Sequence, residues 1–213
     1  MRVAWLSLSL LVVPACADPK EDPPEIARIT PAAACGEGVV TLLLEGNHFD
    51  PEVGIDFPVK NTNSGIFVAP EDRAVLTPRR AIVLHDQTRG APAAGEPPIV
   101  HDVRMVNPDG QEGRLLAGFT TYSTFTFNGV MPNRGPAGNT VALVISGSGL
   151  YGPMTLEIGA NAVVTVDDIR PASPVSATTP LEIPPGTRPG SYPLILRNPG
   201  GCAVALDRAF TVE

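Results

Sequence analysis

The chain has 213 residues, a formal charge of −7 and 43% hydrophobic residues, of which aromatics make only 5% of the chain. Gly and Pro number 21 and 24, spread along the sequence, which interrupts long helices almost anywhere and leaves short strands as the natural building element. With no block of Lys and Arg, the acidic balance argues against a nucleic-acid-binding face and against charge-driven binding to an anionic membrane.

At the N-terminus, residues 1–15 read as a signal peptide. Arg2 supplies a short positive start, and Val3 to Val13 form an apolar run too short to cross a bilayer as a helix. Val13-Pro14-Ala15-Cys16 resembles a bacterial lipoprotein lipobox. That resemblance implies lipidation at Cys16, which becomes the first mature residue and anchors the protein to the cell envelope. Ala15-Cys16-Ala17 also fits ordinary signal peptidase, whose cut after Ala17 discards Cys16 and releases a secreted protein. Residues 16–24, rich in Pro and charge, read as an extended tether.

An internal repeat follows. Ile29-Thr30-Pro31 aligns with Val130-Met131-Pro132 at an offset of 101, as do Val40, Leu42 and Leu44 with Val141, Leu143 and Ile145. Farther on, Asn107-Pro108-Asp109-Gly110 aligns with Asn198-Pro199-Gly200-Gly201 at an offset of 91, and so does Phe119-Thr120 with Phe210-Thr211. The first copy therefore carries about ten extra residues, most of them expected in the Gly/Pro/Ala-rich stretch from Asp86 to Pro98. Each copy is a string of short alternating apolar runs, VVTLLLEG and NTVALVIS among them, whose period of two predicts strands. The Asn-Pro-x-Gly segments supply the positive-φ positions of tight hairpins. Six or seven short strands in roughly 95 residues predict a β-sandwich. The chain is accordingly read as all-β, with one sandwich over residues 25–122 and a second over residues 123–213.

A Pro after the first strand, a Gly-x-x-Phe strand end, an Asn-Pro-x-Gly hairpin and a closing Phe-Thr strand resemble the IPT/TIG domain, an immunoglobulin-like fold. The first copy carries them as Pro31, Gly46 to Phe49, Asn107 to Gly110 and Phe119. In the second they are Pro132, Gly147 to Leu150, Asn198 to Gly201 and Phe210, with Leu150 departing from the usual Phe and Gly200 from the frequent Asp. The resemblance implies an extracellular or surface module and no particular ligand, and one branch of the family binds DNA. The signal peptide and the net negative charge oppose that branch.

Cys35 and Cys202 remain after export. Cys35 lies between the first and second strands of copy one, at the end where the chain leaves that sandwich. Cys202 follows the last hairpin of copy two, at the end where the chain enters. With almost no linker around Thr121 to Thr124, these loops abut, and a disulfide between them is expected; the alternative is two unpaired thiols.

Candidate chemistry is sparse. His48 reads as a turn residue. His85 and His101 are expected on strands of opposite sheets about 10 Å apart, too far for joint metal ligation. Tyr192 resembles the tyrosine-corner position of immunoglobulin-like folds, and His101, its counterpart, is given a similar structural part. Asp167-Asp168 offers too few oxygens for a calcium loop. No nucleophile elbow, phosphate-cradling glycine loop or zinc-spaced histidine pair is present in the sequence, so no enzyme, cofactor or metal is expected. The remaining reading is a non-enzymatic cell-surface binding or structural module for a protein or polysaccharide, with an accessory carbohydrate-binding unit as the alternative. The enlarged loop Asp86 to Pro98 is the region favoured for recognition. It is expected near the junction between copies, so packing against the second copy is the competing role.

Overall fold

The computed structural model describes residues 22–59, 64–159 and 163–213. The expected signal peptide, the tether through residue 21 and Cys16 lie outside the described residues. The chain first lays down β1 (Glu25–Thr30), β2 (Ala33–Cys35), β3 (Val39–Asn47), β4 (Gly54–Pro58), β5 (Gly65–Phe67) and a single 3-10 turn, Pro70–Asp72. It continues through β6 (Arg73–Thr77), β7 (Arg80–Asp86), β8 (Ile99–Val106) and β9 (Glu112–Tyr122). These strands form a four-stranded sheet, β1-β3-β7-β6, facing a five-stranded sheet, β2-β9-β8-β4-β5. Lettered along the chain, the orders are A-B-E-D and A′-G-F-C-C′, the immunoglobulin pattern.

The second copy repeats it. Its strands are β10 (Thr126–Met131), β11 (Arg134–Gly135), β12 (Thr140–Ser148), β13 (Met154–Ile158), β14 (Val164–Ile169), β15 (Ser176–Glu182), β16 (Gly190–Arg197) and β17 (Ala203–Val212). They pair as β10-β12-β15 and β11-β17-β16-β13-β14. In both copies a cis X-Pro bond, Thr30-Pro31 and Met131-Pro132, stands where the chain switches sheets.

The strands form where the alternation predicts them. In β3, Leu42 and Leu44 are fully buried while Val39 and Thr41 face solvent, and β12 repeats this with Leu143 and Ile145 inside. Each pair of sheets encloses its own apolar core: Phe49, Phe57, Phe119 and their neighbours in the first, Leu150, Met154, Phe210 and theirs in the second. The strand-closing glycines have a steric reason. A Cβ on Gly46 would lie 1.7 Å from the Glu25 carbonyl oxygen, and one on Gly147 2.1 Å from that of Thr126, so only glycine lets the first strand pair there.

The extra length of copy one is distributed differently from the expectation. Leu44 pairs with Ala81 and Ile145 with Ala177, which sets an offset of 96 at this strand, midway between 101 and 91. Half of the surplus therefore precedes β7. It supplies β6, the edge strand that the second copy lacks, and only the other half lengthens the β7–β8 loop. Composition pointed to the Gly/Pro/Ala-rich loop, whereas β6 is made of ordinary strand residues that carry no insertion signal.

Candidate functional site: the junction between the sandwiches

The last residues of β9 run directly into β10, and the elements that meet around this crossing come from five places in the sequence. Cys35 closes β2, where it pairs in register with Tyr122 of β9. Cys202 follows the Asn198–Gly201 turn and donates its backbone N–H to Asn198 Oδ1 at 3.0 Å. The two cysteines are disulfide-bonded across the junction, with a Cα–Cα distance of 5.1 Å and a sequence separation of 167.

Hydrogen bonds reinforce the same crossing. Asn198 Nδ2 donates to the Ser123 carbonyl at 3.3 Å. In copy one the equivalent Asn107 Nδ2 donates within its own sandwich, to the His48 carbonyl at 3.2 Å. Ser123 Oγ donates to the Glu96 carbonyl at 2.8 Å, and the Gly95 N–H donates to the Thr124 carbonyl at 2.9 Å. The enlarged loop is therefore tied to the connecting segment by its tip.

Backbone contacts then bring the second sandwich in. Gly149 adopts φ +70°, and a Cβ there would stand 2.6 Å from the Cα of Gly95. A Cβ on Gly200 would stand 2.6 Å from the Ala34 carbonyl oxygen, and one on Gly152 2.8 Å from Tyr122 Oη. Three glycines of copy two thus meet three separate elements of copy one: the loop, β2 and the end of β9. Burial in this contact holds the Tyr122 phenol above its ordinary pKa. The enlarged loop packs against the second copy, the competing role named for it above.

Beneath the loop, the core of copy one ends in polar side chains. His85, Gln87, His101 and Thr121 are all at most 2% exposed and come from both sheets. Thr121 Oγ1 lies 3.3 Å from both Gln87 Oε1 and His101 Nε2, joining the two buried side chains through one hydroxyl. His85 stacks on Phe57 at 4.4 Å between ring centroids and meets the edge of Phe119 at 5.6 Å; His101 lies 6.2 Å from the same Phe119 ring. The two histidines stand on opposite sheets, β7 and β8, and flank one phenylalanine. His85 Nε2 and His101 Nδ1 make no hydrogen bond of normal geometry among the described residues. Burial, then the nearby His101, drives the pKa of His85 down to about 4 against a small opposing pull from Asp86. Burial lowers that of His101 as well, weakly opposed by the Phe57 main chain.

The remaining candidates stay apart. His48 sits in a turn at φ 58°, where copy two has Gly149, a conformation that explains the residue without a ligand. Tyr192 Oη donates to the Arg188 carbonyl at 2.7 Å, the tyrosine-corner bond. Asp167 accepts from Thr155 Oγ1 at 3.1 Å, and Asp168 pairs with Arg170 at 3.0 Å. Among the described residues, no three His, Cys, Asp or Glu side chains converge on a metal-sized site.

Sequence reasoning missed one surface feature. On the outer rim of the loop, Arg89 and Gly90 face Val59 and Ser64 to Phe67 across a cleft of about 350 Å³. Phe67 is 63% exposed on its wall. The signal available was an aromatic in a short strand that follows the polar run from Lys60 to Ser64.

No family model and no curated protein matches the chain. Among solved structures, the extracellular region of plexin A4 aligns over 89% of this chain at 14% identity with a TM-score of 0.40. This chain spans 18% of that one. A Bacteroides ovatus mixed-linkage glucan utilization locus protein, SGBP-B in complex with a mixed-linkage heptasaccharide, aligns over 90% of this chain and 48% of its own at 12% identity, TM-score 0.30. Murine CEACAM1b aligns over 89% of this chain and 100% of its own at 11% identity, TM-score 0.34.

Proposed function

We propose that the protein is an exported, non-enzymatic binding module of the bacterial cell envelope. It is built of two IPT/TIG-like sandwiches over residues 25–122 and 123–213 and held to a membrane by a lipid on Cys16. The observation that carries this reading is the junction. A disulfide, which requires an oxidising compartment to persist, joins two small sandwiches that also meet through close glycine contacts. Such a junction suits a stiff arm that holds a recognition surface away from its attachment point. The cleft between Phe67 and Arg89 is the recognition surface in this reading, because it combines an exposed aromatic with a cation on the rim of the enlarged loop.

The test is a pull-down of envelope and extracellular components by the intact protein, with a Phe67→Ala, Arg89→Ala double variant alongside. Capture by the wild type that the double variant loses supports the reading. No captured component overturns it. Intact mass of the native protein, left unreduced, checks the anchor: a mature start at Cys16 with acyl chains supports it, and a start at Asp18 replaces it with secretion.

A second reading, an accessory carbohydrate-binding unit, is favoured by Phe67 alone, since sugars stack on exposed rings. Retardation of the wild type in polysaccharide-containing native gels, abolished by Phe67→Ala, distinguishes it from protein recognition.

A further inference from the structure

The two outer faces of the first sandwich differ in chemistry. On the five-stranded sheet, the centre of the outer face is charged and internally paired, with Phe67 and Leu116 exposed on either side of it. Arg104 donates to Asp56 at 2.7 Å and lies 3.5 Å from Glu112, which also meets Arg114 at 3.3 Å. An antiparallel sheet with one face in water ordinarily looks like this.

The four-stranded sheet does not. Its inward residues are those of the core, such as Leu42, Leu44, Ala81 and Val83. Its outward positions carry Leu43, Ile82 and Ala74 in one registered row across β3, β7 and β6. Leu84 and Leu76 flank that row, 44% and 56% exposed, and Val39 at the end of β3 is 67% exposed. The patch runs across three adjacent strands. Contiguous apolar surface of this kind is uncommon on a monomer and marks an interface.

Its borders identify the occupant. At the end around Glu45, Arg28 and Arg80 both pair with that carboxylate, and Arg79 stands beside them. At the opposite end Glu71, Asp72 and Asp86 outnumber Arg89, which pairs with Asp86 at 3.4 Å. A two-fold axis lying in the plane of this face and perpendicular to its strands lays the basic end of one copy over the acidic end of another and the aliphatic middle over itself. Four strands spaced about 4.8 Å apart and about seven residues long give roughly 450 Å² per copy, hence roughly 900 Å² in total. That is just below the roughly 1,000 Å² of a stable specific interface and corresponds to a weak, concentration-dependent association.

We propose that the outer face of the β1-β3-β7-β6 sheet is a homodimer interface, through which a second copy of this chain packs face to face about a two-fold axis. With the axis near Val83, the β7 strands run antiparallel, and Ile82 meets the partner's Leu84. This surface shares only the border residue Arg89 with the cleft that the proposed function uses, and Ile82 and Leu84 lie outside that cleft, so either can fail without the other.

The test is sedimentation equilibrium of the full chain, expressed with its own leader, kept oxidised and held in density-matched detergent. The wild type is expected to show a reversible dimer. Ile82→Glu and Leu84→Lys, both at outward positions, are each expected to raise the dimer dissociation constant by about 30-fold or more while the thermal melt keeps the wild-type midpoint. Because residue 82 of one copy meets residue 84 of the other, a mixture of the two variants recovers a heterodimer. A wild type that stays monomeric up to about 100 μM overturns the proposal. So does a dimer that neither substitution weakens.

Discussion

The two sandwiches share a fold and differ at one end of their cores. Register places His85, Gln87, His101 and Thr121 of the first at the positions of Leu181, Ile183, Tyr192 and Val212 of the second. Three of the four second-copy residues are aliphatic, and the fourth sends its hydroxyl out to a carbonyl at the core's margin. In the first copy all four are polar and buried, and two ring nitrogens there lack partners among the described residues. The polar end is the one that supports the enlarged loop and faces the junction. The same topology thus accepts either a dry or a polar core end, and the polar version makes the stability of copy one depend on protonation.

Four experiments break or sharpen that contrast. The largest effect comes from emptying the matched core positions. Phe119→Ala and Phe210→Ala each remove a fully buried ring and are expected to cost about 3–5 kcal/mol, each destabilising its own sandwich first in a melt followed by hydrogen exchange. Loss of both sandwiches together from either variant would mean that the junction couples them into one unit.

Acid comes next. His85 in the folded protein has its pKa pushed down to about 4, below its unfolded value of about 6.5. The unfolded state therefore binds more protons between these values. The stability this group contributes is intact above about pH 6.5 and falls as pH drops toward 4, by up to about 3 kcal/mol. Chemical denaturation at pH 7.5 and pH 4.5 is expected to weaken the first sandwich selectively. His85→Leu, which copies Leu181, is expected to reduce that slope to the part that the buried His101 contributes; an unchanged slope would locate the acid sensitivity elsewhere.

Gly149→Ala follows. It forces a Cβ into a left-handed conformation against Gly95 and is expected to cost about 1–3 kcal/mol, read as raised exchange of the Gly95 amide, which donates to the Thr124 carbonyl. The smallest effect is Tyr192→Phe, which removes one hydrogen bond to Arg188 and is expected to cost about 1 kcal/mol in the second sandwich alone.

Much of this architecture was legible in the sequence because it is local. Period-two runs such as VVTLLLEG mark strands, and Asn-Pro-x-Gly marks hairpins, without any knowledge of the rest of the chain. The repeat then carried Cys35 and Cys202 to abutting ends, which two unrelated domains would not have allowed. The polar core end was illegible for the opposite reason. Its four residues lie on three strands and in a loop, and each alone looks like an ordinary strand or turn residue. Only pairing at two different offsets, 96 for His85 and Gln87 and 91 for His101 and Thr121, aligns them with Leu181, Ile183, Tyr192 and Val212. The strand β6 was missed because its residues match any strand, so nothing local distinguishes a strand present in one copy from one absent in the other. The cleft beside Phe67 likewise requires the loop and the β4–β5 hairpin to be placed together first.

The disulfide has one more consequence. Cys35 and Cys202 bracket the connecting segment, most of both sandwiches and the enlarged loop inside a single covalent ring. A protease that cuts once anywhere in that ring produces no separate fragment. The nicked chain gains one water and keeps its two halves together until a reductant opens the bond, so cleavage and release are separate chemical events in this molecule.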